Sequence, residues 1–265
     1  PLGPVVLQMA GVSVLGSGEG QYLLDEIHLL LCGREILGIA GVSGNGQATL
    51  AALLSGLRLP DEGVFEMLGE VVRETSPALM QQRGVGRIPE DRHAVGVIGD
   101  FSVEENLILE APGDRRFSSL GLLKGGVIRR RAKQAIEDFD IRGASPQTTT
   151  RALSGGNMQK VILARVLSEE PKIILANQPT RGLDVGAAAA VQGLLFEARA
   201  KGAGIVLISE DLDELLQVSD RISVLYQGRL STPVSAEDAD RTRLGLRMSG
   251  QGEFQNPRGR HGYAA

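Results

Sequence analysis

Residues 35–56 read EILGIAGVSGNGQATLAALLSG: an apolar run, a glycine-rich loop and a helix-forming stretch in direct succession. Gly41, Gly44 and Gly46 follow the glycine spacing of a phosphate-binding loop, G-x-x-x-x-G-K-[ST]. That pattern wants a lysine at 47 and a hydroxyl at 48, and the chain has Gln47 and Ala48. A nest of backbone N–H groups at a helix N-terminus favours a bound phosphate even so. Ser43, Asn45 and Thr49 add polar groups nearby. The competing reading is a tight strand-to-helix turn without a ligand, and the loop alone leaves both open.

Two further apolar runs resemble the one before the loop. KIILA (172–176) and IVLIS (205–209) each follow a helical stretch, the second of them Ala187–Ala200. Short, wholly apolar runs separated by helices suit buried strands of a mostly parallel sheet. VVLQMAGVSV (5–14) and VFEMLGEVV (64–72) alternate more and read as antiparallel, and RISVLYQGRLS (221–231) reads as a closing hairpin. From about 95 to 165 the signals are helical: VEENLILEA, IRRRAKQAIEDF and GGNMQKVILARVL. Pro146 and Thr148–Thr150 mark the loop before the last of these helices. The expected fold is α/β, with core at about 5–94 and 166–250, an inserted helical lobe at about 95–165, and a polar, disordered tail over 251–265.

The chain has 265 residues, 42% of them apolar and 23% charged, as in ordinary globular proteins. Its 28 basic and 32 acidic residues give a net charge of −4, which argues against a dominant basic face gripping nucleic acid. Arg129–Arg131 reads as a solvated helix face. The single cysteine, Cys32, excludes an internal disulfide framework, fits a reducing compartment and reads as a core residue. No stretch approaches the ~20 apolar residues that span a bilayer, and no secretory leader is legible. The opening PLGP lacks a methionine, so a piece of a longer or processed protein is expected.

Leu153-Ser154-Gly155-Gly156-Asn157 shifts the loop toward the nucleotide-holding reading, with glycines that only preserve the turn as the alternative. It resembles LSGGQ, the signature sequence of the ATP-binding cassette family. PTRGLD (179–184) resembles the segment running from the second Walker motif into the D-loop, IPEDR (88–92) the Q-loop region, and VLISEDLDELLQVSDRISVLYQGRL the switch segment. The resemblance covers nearly all of residues 5–250, with five motifs in family order. GNMQK after Gly155, PEDR and PTRGLDVG are similar to the sugar-importer class, and GNGQ with QPTRGLDVG lacking the acidic pair to its purine-nucleoside branch, as a second, degenerate cassette.

The resemblance implies a P-loop nucleotide-binding domain, with ATP at Gly41, Ser43, Gly44, Asn45, Gly46, Gln47, Ala48 and Thr49, and the signature Leu153–Asn157 facing a partner cassette. It implies a peripheral place on the cytoplasmic face of the cell membrane, beside transmembrane permease subunits and, indirectly, a substrate-binding lipoprotein; no nucleic acid is expected. It also shows what is altered. In the family a lysine contacts the β- and γ-phosphates, a hydroxyl holds Mg²⁺, an Asp-Glu pair supports Mg²⁺ and water, and a histidine follows the switch serine. Here those positions are Gln47, Ala48, Asn177-Gln178 and Glu210, and the Q-loop glutamine is Glu90. Phosphoryl transfer depends on positioning and charge neutralisation. The expectation is negligible hydrolysis at this chain's own site, with weak or Mg²⁺-independent ATP binding there. Mg-ATP would act in the assembled complex, where the chain lends its signature to a second cassette.

Asp184 resembles the D-loop aspartate and equally suits a helix cap, and both roles are compatible. Tyr22 lies near where the family stacks an aromatic on adenine. His93 is assigned no role, and no metal-ligand cluster is legible. A non-hydrolysing regulatory or binding module is the alternative function. A translation-factor or DNA-repair cassette would carry basic surfaces or coiled-coil insertions, and a small-molecule kinase would lack the signature.

Overall fold

The structure, a computed structural model, describes residues 1–18, 20–111 and 113–254; residues 255–265 of the expected tail lie outside them. The chain divides into two compact units, each with its own core. The first comprises Pro1–Arg87, Lys172–Asn177 and the chain from Arg199 onward; the second comprises Ile88–Pro171 and Gln178–Ala198.

The chain-order elements are β1 (Val5–Leu15), β2 (Tyr22–Cys32), β3 (Ile36–Ala40), α1 (Gln47–Leu54), β4 (Glu62–Met67), β5 (Glu70–Val71), α2 (Pro77–Gln82) and β6 (Val85–Ile88). The second unit adds α3 (Val103–Leu107), β7 (Ser118–Ser119), β8 (Leu122–Leu123), α4 (Gly125–Asp138) and α5 (Gly155–Leu167). Then come β9 (Ile173–Asn177), α6 (Val185–Ala200), β10 (Gly204–Ser209), α7 (Leu212–Val218), β11 (Arg221–Tyr226), β12 (Arg229–Leu230), β13 (Val234–Ser235) and α8 (Arg241–Met248).

The first unit holds two sheets. One runs β2-β1-β4-β5 and is antiparallel, as the alternating patterns lead one to expect. The other runs β12-β11-β3-β10-β9-β6, with β11, β3, β10 and β9 parallel and β12 closing an antiparallel hairpin on β11. Every residue of β3 and β10 is buried, which explains their unbroken apolar sequences. Leu37, Ile39, Leu175, Val206 and Ile208 from this sheet share one core with Leu50 and Leu53 of α1 and with Phe65 of β4.

The second unit packs Val103 and Leu107 of α3, Ala132 of α4 and Val161 of α5 together. It departs from the sequence expectation in three ways. It is wider than 95–165, starting at Ile88 and including Gln178–Ala198. α3 stops at Leu107 instead of running through Ala111, because Ile108 and Leu109 donate to Glu105 and Asn106 at three-residue spacing and the helix unwinds. Finally, β7 and β8 form a small hairpin within the expected helical lobe. Its two turn residues, Leu120 and Gly121, both have positive φ, 50° and 79°, as a two-residue hairpin turn requires.

Cys32 is half-buried at the end of β2, not in the core. Burial, then the Glu35 carboxylate, push its thiol pKa up. Arg129 pairs with Glu104 and Arg131 with Glu169, so this run is largely occupied by ion pairs on its own unit. Among the described residues no helix is long and apolar enough to cross a membrane.

Candidate functional site

The glycine loop occupies the turn between β3 and α1 in the first unit. Gly44 and Gly46 adopt φ of 94° and 112°, a region that glycine enters without steric cost. Gly41 is needed for a different reason. A Cβ there would lie 2.3 Å from Gln47 Nε2 and 2.7 Å from the Leu225 carbonyl oxygen.

Gln47 does not reach outward as the lysine of such a loop does. It is buried and folds back across the loop: Nε2 donates to the Val42 carbonyl at 2.7 Å, and Oε1 accepts from the Asn45 N–H at 3.1 Å. Asn45 strengthens the same closure. Its Nδ2 donates to the Val42 carbonyl at 2.9 Å, and its Oδ1 accepts from the Gln227 N–H at 2.9 Å. Glu210 completes it, accepting through Oε1 from the Ser43 N–H at 2.8 Å and from the Ser43 hydroxyl at 2.6 Å. The backbone N–H groups of Ser43 and Asn45 and the Ser43 hydroxyl thus end on the chain's own side chains.

Sheet register brings the altered positions together. Ser209 lies beside Ala40, and Ile208 beside Asn177. Gly41, Glu210 and Asn177 therefore sit at the carboxyl ends of three adjacent parallel strands, where open α/β sheets bind ligands. The glycine cradle fits a phosphate chain. The metal positions fit poorly: Ala48 offers no hydroxyl, Asn177 no carboxylate, and among the described residues no group of three His, Cys, Asp or Glu could hold a metal ion.

A groove of about 550 Å³ runs from the loop past Gly46, Thr49, Tyr22, Asp25, Gln227 and Arg229. Its volume suits a nucleoside-sized ligand. An Arg229–Asp25 ion pair at 3.0 Å forms part of its wall. Tyr22 is thus placed in the same groove as Thr49.

The signature lies in the second unit. Ser154 is exposed and caps α5, with its Oγ accepting from the Asn157 N–H at 3.4 Å and from Asn157 Nδ2 at 3.0 Å. Gly155, Gly156 and Asn157 are half-buried at the first turn, and Leu153 is buried. Gly156 permits close packing, since a Cβ there would meet the Ala187 Cβ at 2.7 Å.

The same unit gathers residues that the sequence reading did not single out. Arg92 Nη1 donates to the Arg181 carbonyl at 2.7 Å, and Arg92 Nη2 lies 3.4 Å from the Cβ position of Gly155. Arg181 forms a salt bridge with Glu90, so the Glu90 carboxylate has a cation against it. Asp91 accepts from the N–H groups of Ala94 and His93, each at 2.9 Å, and those bonds hold its carboxyl below the ordinary carboxylate range. The available signal was PEDR itself, an acidic cap and an arginine at fixed spacing. His93 is exposed. Gln178 has a positive φ of 50° and accepts from the Arg181 N–H through its carbonyl. Asp184 Oδ1 accepts from the Ala187 N–H at 2.8 Å, so the capping role at the start of α6 is present.

A family model described as ABC transporter matches residues 24–181. The chain is 42% identical over 253 residues to the glucose import ATP-binding protein TsgD13 of Haloferax volcanii, covering 95% of this chain and 46% of that protein. It is 38% identical over 248 residues to the guanosine import ATP-binding protein NupO of Bacillus subtilis, covering 94% and 48%. The nucleoside import ATP-binding protein NupA of Lactococcus lactis subsp. cremoris is 36% identical over 246 residues, covering 93% and 48%. The chain thus spans about half the length of these curated relatives. Among solved structures, a nucleotide-free ATP-binding cassette from an ABC transporter superposes with a TM-score of 0.74 at 22% identity, covering 87% of this chain and 91% of that one.

Proposed function

The chain belongs to the ABC transporter family, and on that premise we propose that it is an ATP-binding cassette of an importer for a nucleoside or a sugar. Its kinship to glucose, guanosine and nucleoside import subunits supports this. In this reading the chain works in trans. Its own site hydrolyses ATP negligibly, and its signature completes the site of a second cassette. Transmembrane permease subunits and a substrate-binding lipoprotein make up the rest of the importer, and the cassette sits peripherally on the cytoplasmic face of the membrane.

The observation that carries the reading is a contrast. Ser154 stands exposed on a capped 13-residue helix, while the lysine slot of the phosphate loop is filled by an inward-folded Gln47. The first-turn N–H groups of α5 and its dipole favour an anionic phosphate, and donors fixed before reaction stabilise transition-state charge. At the chain's own loop the opposite holds. Losing one charge-assisted contact costs about 1.5–3 kcal/mol of binding. Losing a positioned acid or base costs ~10²–10⁴ in rate.

The test is ATP turnover by a consensus cassette of the same importer, alone and with this chain. Stimulation that Ser154→Arg removes and Gln47→Ala leaves intact supports the reading. Equal turnover with and without the chain overturns it. The second reading, a regulatory module outside turnover, is favoured by the self-satisfied loop and predicts that equality.

A further inference from the structure

Glu210 is the group whose position the cassette reading leaves without a purpose. Its carboxylate takes both the N–H and the hydroxyl of Ser43, at 2.8 and 2.6 Å. These are the kind of donors that an oxyanion of a bound phosphate uses. The carboxylate is itself an anion held in the loop, 167 residues away in sequence.

Its location along the loop can be read from Gln47. The residue in this slot reaches the terminal phosphates in phosphate loops. The Gln47 amide ends at Val42 and Asn45, the residues on either side of Ser43 and Gly44. Glu210 therefore stands at Ser43, between the two residues that hold the side chain of slot 47. The other end of the loop differs. The N–H groups of Gln47, Ala48 and Thr49 open α1 and have no intrahelical carbonyl to bind, and Ala48 and Thr49 line the groove that contains Tyr22.

Glu210 is also held in place. It follows β10, which is buried throughout. Ser209 Oγ donates to Glu214 Oε2 at 2.6 Å and accepts from the Asp211 N–H at 3.1 Å. Asp211 in turn caps α7. Neutral Gln47 supplies no cation to offset a second anion beside the carboxylate.

We propose that Glu210 selects the ligand of the phosphate loop: it occupies the place of a third phosphate, so the loop accepts a nucleoside diphosphate in preference to a triphosphate. The proposal rests on residues 41–49 being nucleotide-binding. It is independent of whether the signature acts on a partner.

Calorimetric titration of the chain with ADP and with ATP, for wild type, Glu210→Gln and Glu210→Ala, tests it. Glu210 is exposed, so neither substitution burdens the core. Both variants are expected to raise ATP affinity by about tenfold or more, the scale of one charge-assisted contact, while ADP affinity stays within about threefold of the wild type. Amide exchange at Ser43 is expected to quicken in Glu210→Ala. ATP affinity unchanged in both variants overturns the proposal, and so does ATP binding to none of the three proteins. An equal rise for ADP and ATP also overturns it. Stimulation of a partner cassette through Ser154 is read separately, so the failure of one reading is distinguishable from that of the other.

Discussion

Replacing Gln47 with alanine is predicted to destabilise the chain, although alanine is the better helix former. The side chain makes two neutral hydrogen bonds, to the Val42 carbonyl at 2.7 Å and from the Asn45 N–H at 3.1 Å, and it is 9% exposed. Such bonds contribute about 0.5–1.5 kcal/mol each. The Val42 carbonyl keeps its bond from Asn45 Nδ2 at 2.9 Å, so the lower part of the summed range applies, about 1–2 kcal/mol. In a protein of this size each kcal/mol moves the melting temperature by about 2–4 °C. The expected fall is therefore roughly 2–8 °C by calorimetry, with faster amide exchange at Asn45. Gln47→Glu keeps the acceptor, loses the donor and adds charge near Glu210, so it is expected to fall further. An unchanged melting temperature together with unchanged Asn45 exchange in Gln47→Ala would refute the inward-folded Gln47.

Four more outcomes follow from the same geometry. Gly156→Ala places a Cβ 2.7 Å from that of Ala187 and is expected to cost about 1–3 kcal/mol by overpacking, read in a denaturant titration. Asp184→Ala removes the acceptor of the Ala187 N–H at the start of α6 and should cost about 1 kcal/mol. Asn106→Leu strands the partners of a fully buried amide bonded to Ile98 and Thr150; about 2–3 kcal/mol is expected in the same assay. Glu105 is held below its ordinary value of 4.5, first by the Ser102 hydroxyl and then by the Ser102 N–H. A depressed carboxylate adds stability that is complete above the ordinary value and lost as pH falls through the folded one. Ser102→Ala should therefore lose stability at neutral pH and show a shallower decline on acidification below that value.

The parallel core was legible because β3, β9 and β10 are buried on both faces and so read as unbroken apolar runs. α5 was legible to the residue because Ser154 signals the cap and apolar periodicity carries on to Leu167. The same kind of signal misled at α3, where LILEA looked helical while Asn106 ties its amide to Ile98 and Ser102 backbone carbonyls and to Thr150. The β7–β8 hairpin gave no sign, since its turn uses Leu120-Gly121 and not an Asn-Gly pair. In the candidate site, Gln47, Ala48, Asn177 and Glu210 were legible as departures from the residues that the family resemblance leads one to expect. Sequence could not show that Gln47 folds inward or that Glu210 reaches Ser43, because both are facts of side-chain direction, the second across 167 residues. Arg92 and Arg181 were overlooked for a related reason: their partners, the Arg181 carbonyl and Glu90, are distant in sequence.

Steady-state hydrolysis of Mg-ATP by this chain alone, on a sample whose nucleotide binding has been measured, tests the central claim most directly. No turnover above background is predicted, because Gln47, Ala48, Asn177 and Gln178 supply neither cation, metal ligand nor base. Robust Mg²⁺-dependent turnover would contradict the account of a cassette that acts through its signature.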